Sequence, residues 1–490
     1  MEPLLPKEPV AHRNPFVPTT RISRLLPVEE MLRAEHSMEL EASGGKRARA
    51  SSDVLDVSME LEASGGKRAR ASSEVLDIDR LSALPDCLIH HIMSFMKARQ
   101  VVQTCVLSTR WTHLWRSVPC LNLDQVEFSA ADSDADTAES DSDNDKEEQW
   151  EKFEDFTDHL LIRGNISIAL LDTFRLHARG EHHRQAARWI RHGVKYSTQE
   201  HGVQRELLNS TSWRLRRLHL SNVYLDDRFA KHVRSGCHSL EDLELKGCMI
   251  VFDGITSCSL KNLVLKCCRW RGPFAITSPT LKSLVIETGY ITFFSVAITA
   301  PAVAYLLLGL DVNQFEGGVS FNDEMASLAK ASIHLRCNNV MSILSSNQFK
   351  LLDSVSNVTS LELSGFRKMM EFMVPPYFKN LKSLLLDSCY LGGNFQILGH
   401  FLHKSPNLEK LTLYRCMIPM GSQIKKGSDK LKERLNLVGV QCKNLKLTEI
   451  IYADEDDDDD VHNLVEVLLG ISGSLPNNNI KLIKVDLHYP

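Results

Sequence analysis

The chain has 490 residues, 43% hydrophobic and 24% charged, with a formal net charge of −5. That composition suits a globular protein of two or three domains, and the charge is too small to single out nucleic acid or acidic substrates as partners. No run approaches the roughly 18–20 apolar residues of a membrane span, and "MEPLLPKEPVAHRNPF" lacks the apolar centre of a secretory signal, so cytoplasm and nucleus are the expected compartments.

Residues 1–78 read as a disordered tail. "SMELEASGGKRARASSDVLDV" (37–57) recurs at 58–78 with only Asp53/Glu74 and Val57/Ile78 differing. Two copies rich in Ser, Gly and charge do not build a solenoid. They repeat one basic cluster, Lys46, Arg47 and Arg49 in the first copy and Lys67, Arg68 and Arg70 in the second. On flexible chain such clusters suit an acidic import receptor, which favours the nucleus; a slippage duplication without function is the bland alternative.

Residues 79–123 read as a compact helical unit. Asp79 or Ser82 is placed to cap a first helix, and Pro85 fits its first turn because the missing N–H would be unpaired there anyway. A second helix is expected over Arg99 to Leu107. A third is expected over 109–118, where Trp111, Leu114 and Trp115 fall on one face before Pro119 stops it. About forty residues bury little core of their own, so the unit is expected to dock on a neighbour.

An acidic linker is expected over 124–150; its segment 132–148 carries nine acidic residues against one lysine. "FEDFTDHLLIRG" (153–164) then reads as an amphipathic helix and "TFRLHARG" (173–180) as a strand. "QAARWIRHGVKY" (185–196) reads as a helix with Ala186, Ile190 and Val194 facing inward.

From about residue 215 the chain repeats itself. The spacing L-x-x-L-x-L-x-x-C occurs in full from Leu240 to Cys248, Leu260 to Cys268, Leu381 to Cys389 and Leu408 to Cys416. Looser copies lie at 215–223, 281–289, 303–311 and 358–366, and 331–337 is a degenerate candidate. Central leucines at 218, 243, 263, 284 and 306 are 25, 20, 21 and 22 residues apart. This is the period and pattern of leucine-rich repeats. Each unit is one short strand whose leucines face the core, with neighbours as walls. The four cysteines are then expected as small apolar groups buried against the next repeat rather than as metal ligands. The repeat region with its joining segment spans 151–435, and 436–490 reads as a terminal cap with an acidic loop at Asp454–Asp460.

The phosphate-loop, zinc-helix and nucleophile-elbow motifs are absent, and the histidine pairs lack further ligands at fitting spacing. No catalytic residue, cofactor or metal is expected.

"LPDCLIHHIMSFMKARQVVQTCVLSTRWTHLWRSVPCLNLD" resembles the F-box of plant F-box/leucine-rich-repeat proteins, on Leu84-Pro85, Leu88, Ile92, Val106-Leu107-Ser108, Arg110-Trp111, Leu114-Trp115 and Val118-Pro119. Met96-Lys97 departs from the Leu-Pro pair common there. The resemblance implies an α/β chain: a three-helix F-box followed by a leucine-rich-repeat solenoid with one short strand per repeat. It also implies a non-catalytic substrate-recognition subunit of an SCF-type ubiquitin ligase, docked on a Skp-type adaptor and through it on cullin and RING subunits. Leu84, Pro85, Leu88, Ile89 and Ile92 are the candidates for the adaptor groove, with Leu107 and Ser108 beside them. Trp111 and Trp115 are read either as interface anchors or as internal packing.

Residues alternating with the buried leucines point onto a concave face, where an unknown target protein is expected. They include His219, Ser221, Glu244, Lys246, Lys266, Glu287, Glu362, Asp387 and Tyr414. A non-degradative scaffold is the rival reading. A nucleic-acid binder is a further one, resting only on the two basic clusters, since the repeat face lacks the basic excess it needs.

Overall fold

The structure is a computed structural model that describes residues 83–129, 143–163, 166–179, 182–194, 214–288, 295–311, 318–322, 325–336, 351–366, 374–391, 395–416, 444–453, 479–485 and parts of 461–469. The tail over 1–78 with its basic clusters, the residues Asp79 and Ser82, the middle of the acidic linker and the run Asp454–Asp460 lie outside the described residues.

Three short helices open the described chain: α1 (Asp86–Met93), α2 (Ala98–Gln103) and α3 (Trp111–Leu114). Single 3-10 turns, Thr104–Val106 and Trp115–Ser117, extend the second and third. Pro85 itself stands at the start of α1, and its carbonyl accepts the N–H groups of Leu88 at 3.0 Å and Ile89 at 3.2 Å. Arg110 Nε donates to Asp86 Oδ1 at 3.1 Å, tying the approach to α3 back to the first turn of α1.

The helix α4 (Asp143–Leu161) starts inside the span read as acidic linker and is followed by α5 (His183–Val194). Trp150, Phe153, Phe156 and Trp189 are buried between them, and Ala186, Ile190 and Val194 face inward as the periodicity requires.

Thirteen parallel strands, in chain order, form one sheet. They are β1 (Cys120–Asp124), β2 (Thr173–His177), β3 (Arg217–Ser221), β5 (Asp242–Lys246), β8 (Asn262–Lys266), β11 (Ser283–Glu287), β13 (Tyr305–Asp311), β15 (Lys330–Arg336), β16 (Ser360–Ser364), β17 (Ser383–Asp387), β18 (Lys410–Tyr414), β19 (Leu447–Ala453) and β20 (Asn479–Val485). Two small parallel sheets flank it. One joins β4 (Tyr224–Leu225), β6 (Met249–Ile250) and β9 (Arg269–Trp270). The other joins β7 (Gly254–Thr256), β10 (Phe274–Thr277), β12 (Val296–Thr299) and β14 (Val319–Phe321). Two further helices, α6 (Asp227–Ser235) and α7 (Gln396–Lys404), lie between strands of the main sheet in sequence.

The register explains why leucine recurs. Leu218, Leu243, Leu263, Leu284 and Leu306 stand opposite one another on successive strands, as do Leu220, Leu245, Leu265, Ile286 and Leu308. Each is at most 1% exposed, so every strand buries two large aliphatic groups, each worth roughly 1.5–3 kcal/mol of transfer free energy. The ladders run beyond the readable repeats. Leu121 and Leu123 of β1 pair with Phe174 and Leu176 of β2, and the blurred segment 331–337 supplies β15 with Ala331 and Ile333 in line.

Six of the turns after these strands share a backbone feature. Asn222, Gly247, Cys267, Gly365, Ser388 and Arg415 all have φ between 44° and 74°, and each N–H donates to a carbonyl of the next strand at 2.7–3.0 Å. Glycine or asparagine meets this left-handed requirement cheaply, whereas Cys267, Ser388 and Arg415 bear its strain.

The cysteine that follows this turn is more than a small apolar group. The thiols of Cys248, Cys268, Cys389 and Cys416 donate to the carbonyls of Leu220, Leu245, Leu363 and Leu386 at 3.2–3.3 Å. They therefore engage the preceding strand as well as the neighbouring repeat's cysteine, as between Cys248 and Cys268, and recur because a thiol fills a small space while pairing a carbonyl. Cys416 is only partly buried. All cysteines among the described residues are free thiols.

The opening helices close the first edge of the sheet. Ala98, Val101 and Val102 of α2 meet Trp115, Val118, Leu121, Leu160 and Ile166 around one small apolar space. Lys97 and Asp124 form an ion pair at 2.8 Å, and Arg99 Nη1 donates to Glu127 O at 2.6 Å. Glu127 and Phe128 belong to a 3-10 turn, Gln125–Phe128, so both ends of the expected acidic linker are structured.

Candidate functional site

Two faces stand out, one on the helices and one on the sheet. On the helices, a short element must bury part of its apolar surface in its own unit, and the spacing shows which part. Ile89 and Met93 are fully buried, whereas Leu88 and Ile92 are 47% and 41% exposed. Leu107 is 56% exposed, Pro85 is exposed, and Leu84 and Ser108 are half-buried.

Ile89 departs from the expected groove set, while Trp111 and Trp115 take the internal-packing alternative. They are at most 3% exposed and form the unit's own core, because three helices this short need every large side chain that faces inward. Conversely, Phe95 at 76% and Val106 at 52% exposed were not anticipated. Phe95 continues the 88, 92, 95 series at helical spacing, a signal present in the sequence. Five large apolar side chains are exposed within 88–107, among which the Phe95 ring meets the His91 ring edge-on.

On the sheet, side chains alternating with the leucines line the open face in three rows. Its anticipated residues are largely matched across strands. His219 Nδ1 lies 3.4 Å from Glu244 Oε2, and Lys266 Nζ lies 3.4 Å from Glu287 Oε1. Glu362 accepts from Ser332 Oγ at 2.9 Å and faces His334 Nε2 at 3.3 Å. Asp387 accepts from Ser364 and Ser388 at 2.9 Å each, and the Arg415 guanidinium stands 4.7 Å above the Tyr414 ring. Ser221 and Lys246 complete the third row on β3 and β5. Burial holds the His219 imidazole below its ordinary pKa despite Glu244.

Val264, Val285, Leu307 and Leu385 share this face; flanked by large aliphatic residues, they are indistinguishable in the sequence from buried positions. Among the described residues no cluster of His, Cys, Asp and Glu is placed to hold a metal ion, and no helix is long and apolar enough to cross a membrane.

Residues 81–123 match the F-box domain family. The match ends on β1, so the helical unit and the first strand of the sheet fall within one family segment. The meiotic F-box protein MOF of Oryza sativa is 28% identical over 76% of this chain and 80% of its own. A putative F-box/LRR-repeat protein of Arabidopsis thaliana is 23% identical over 69% and 72%. An F-box/FBD/LRR-repeat protein of the same plant is 24% identical over 68% and 76%. The chain carries an F-box domain and, over most of its length, is similar to plant F-box/leucine-rich-repeat proteins. Its F-box carries the exposed apolar set, and the large parallel sheet carries the open face.

Proposed function

We propose that the chain is the non-catalytic substrate-recognition subunit of an SCF-type ubiquitin ligase. In this reading the F-box is a three-helix unit that binds a Skp-type adaptor, and through it cullin and RING subunits. The sheet is a leucine-rich-repeat solenoid, one short strand per repeat, whose open face holds a target protein. The observation that carries the reading is the exposed set Leu88, Ile92, Phe95, Val106 and Leu107 within the F-box match. Such a set is stable in water only at a modest penalty and suits a desolvated groove.

The mechanism is proximity. The protein breaks no bond; it holds a target lysine at high effective concentration beside a charged ubiquitin thioester. A joint with Lys97–Asp124, Arg99–Glu127 and a shared core fixes the F-box on the first edge of the sheet, which limits the volume the target can explore. The basic clusters of the tail are assigned to nuclear import. The test is co-expression with a Skp-type adaptor and a cullin: both co-purify with the full chain, and a candidate target accumulates when the chain is removed. Failure of the adaptor to co-purify overturns the reading.

A further inference from the structure

Resting on the reading that targets bind the open face of the sheet, we propose that this face selects a segment with aliphatic or aromatic anchors followed by basic residues. Val264, Val285 and Leu307 lie on three adjacent strands, β8, β11 and β13, at facing positions of one row, so they form a continuous apolar strip. Two strands further on, Glu362 occupies the same row on β16, and Asp387 lies on β17 beyond it.

The charges around the strip are uneven. Glu287 is matched by Lys266 and Glu449 by Lys410, at 3.4 and 2.7 Å. Among the described residues Glu362 and Asp387 meet no lysine or arginine; their contacts are the hydroxyls of Ser332, Ser364 and Ser388 and the His334 ring. Hydroxyls orient a carboxylate without neutralising it, so negative potential remains at this end. At the opposite end Lys246 is exposed on β5; Glu244 there is faced by His219 much as Glu362 is by His334, so the difference between the ends rests on Lys246 and Asp387. A basic group is attracted to the β16–β17 end, where the contacts of Asp387 among the described residues are hydroxyls alone. Leu385 stands directly opposite Glu362 and offers apolar surface to a lysine or arginine stem.

Strand spacing sets the ligand's spacing. Leu307 is two strands from Glu362 and three from Asp387, about 10 and about 14 Å, which an extended peptide covers in roughly three to four residues. The matching segment has apolar residues at alternate positions and basic residues three and four positions from the last of them.

The probe is a fluorescein-labelled peptide containing Leu-Ser-Phe-Ser-Gly-Lys-Lys, with its reversed sequence, added to the full-length chain purified with its adaptor. The expected result is binding about tenfold tighter than a Glu-Glu version, narrowing between about 50 mM and about 500 mM salt. Glu362→Gln with Asp387→Asn removes that preference, since both amides keep the serine contacts while losing charge. Loss of binding on replacing Leu and Phe by Ser shows the apolar strip. Equal binding of lysine and glutamate peptides, or no binding of either sequence at about 1 mM, overturns the proposal. Retention of the adaptor in the same preparation shows that the ligase reading has not failed with it.

Discussion

Lys97 Nζ lies 2.8 Å from Asp124 Oδ2, and this ion pair joins the start of the second F-box helix to the end of the first sheet strand. Burial alone would raise the Asp124 carboxyl, but hydrogen bonds from Lys97 and the Val126 N–H hold it below its ordinary pKa. Three residues on, burial pushes the Glu127 carboxyl up to about 7 despite Lys97 and Arg99 nearby. The two carboxylates therefore respond oppositely to pH at one joint.

Glu127→Gln tests that joint. A folded pKa raised above the ordinary 4.5 means that ionised Glu127 destabilises the fold above about 7 and not below 4.5. The variant is expected to unfold at higher temperature than wild type at alkaline pH, by an amount on the order of 1 kcal/mol after allowing for partial exposure. The gain fades as pH falls through 7 towards 4.5. Thermal unfolding across that range measures it, and a gain independent of pH refutes the assignment.

Leu88→Asp and Ile89→Asp are adjacent changes with opposite consequences. Leu88 is 47% exposed, so its charge leaves the fold intact and is desolvated only in the adaptor groove, a loss of roughly 2–4 kcal/mol in binding. Ile89 is fully buried, so the same charge unfolds the F-box. Circular dichroism and adaptor pull-down separate the two. Full adaptor binding by folded Leu88→Asp removes the proposed contact.

Among the cysteines, hydrogen bonding predicts the order of effects. The Cys389 thiol donates to Leu363 O at 3.3 Å, whereas the buried Cys237 thiol makes no hydrogen bond among the described residues. Cys389→Ser is expected to cost under about 1 kcal/mol because the hydroxyl inherits a carbonyl; Cys237→Ser costs roughly 1–3 kcal/mol. Neither is expected to release metal. Denaturant midpoints and elemental analysis decide it.

Left-handed turn positions give a signed pair. Cys267→Gly, at φ 51°, relieves strain and is expected to stabilise by up to about 1 kcal/mol after the entropy of glycine is subtracted. Gly365→Ala, at φ 74°, is expected to destabilise by several times that, about 2–4 kcal/mol, because the added methyl would overlap the Leu335 carbonyl oxygen. Equal effects at the two sites would contradict the backbone account.

Nuclear import is tested by changing Lys46, Arg47, Lys67 and Arg68 to Ala together. The fluorescently tagged variant is expected to shift to the cytoplasm while its adaptor binding stays unchanged. An undiminished nuclear signal rules the import reading out.

The sequence by itself determined the repeat and its phase, because a leucine at every second strand position must be buried on every turn of a parallel sheet. It also exposed the F-box through Leu84-Pro85 and the tryptophan face. It did not separate Leu88 from Ile89, or decide Trp111 and Trp115, because those apolar residues are distinguished only by which neighbours cover them. It gave no sign that Cys120–Asp124 opens the sheet, since two leucines in a five-residue stretch acquire a strand's meaning only beside Phe174 and Leu176. Nor did it reveal the thiol-to-carbonyl bonds or the hydroxyl partners of Glu362 and Asp387, which join strands 23 to 30 residues apart in sequence. Those contacts exist only after parallel pairing brings distant segments within a strand's width of each other, which local pattern cannot record.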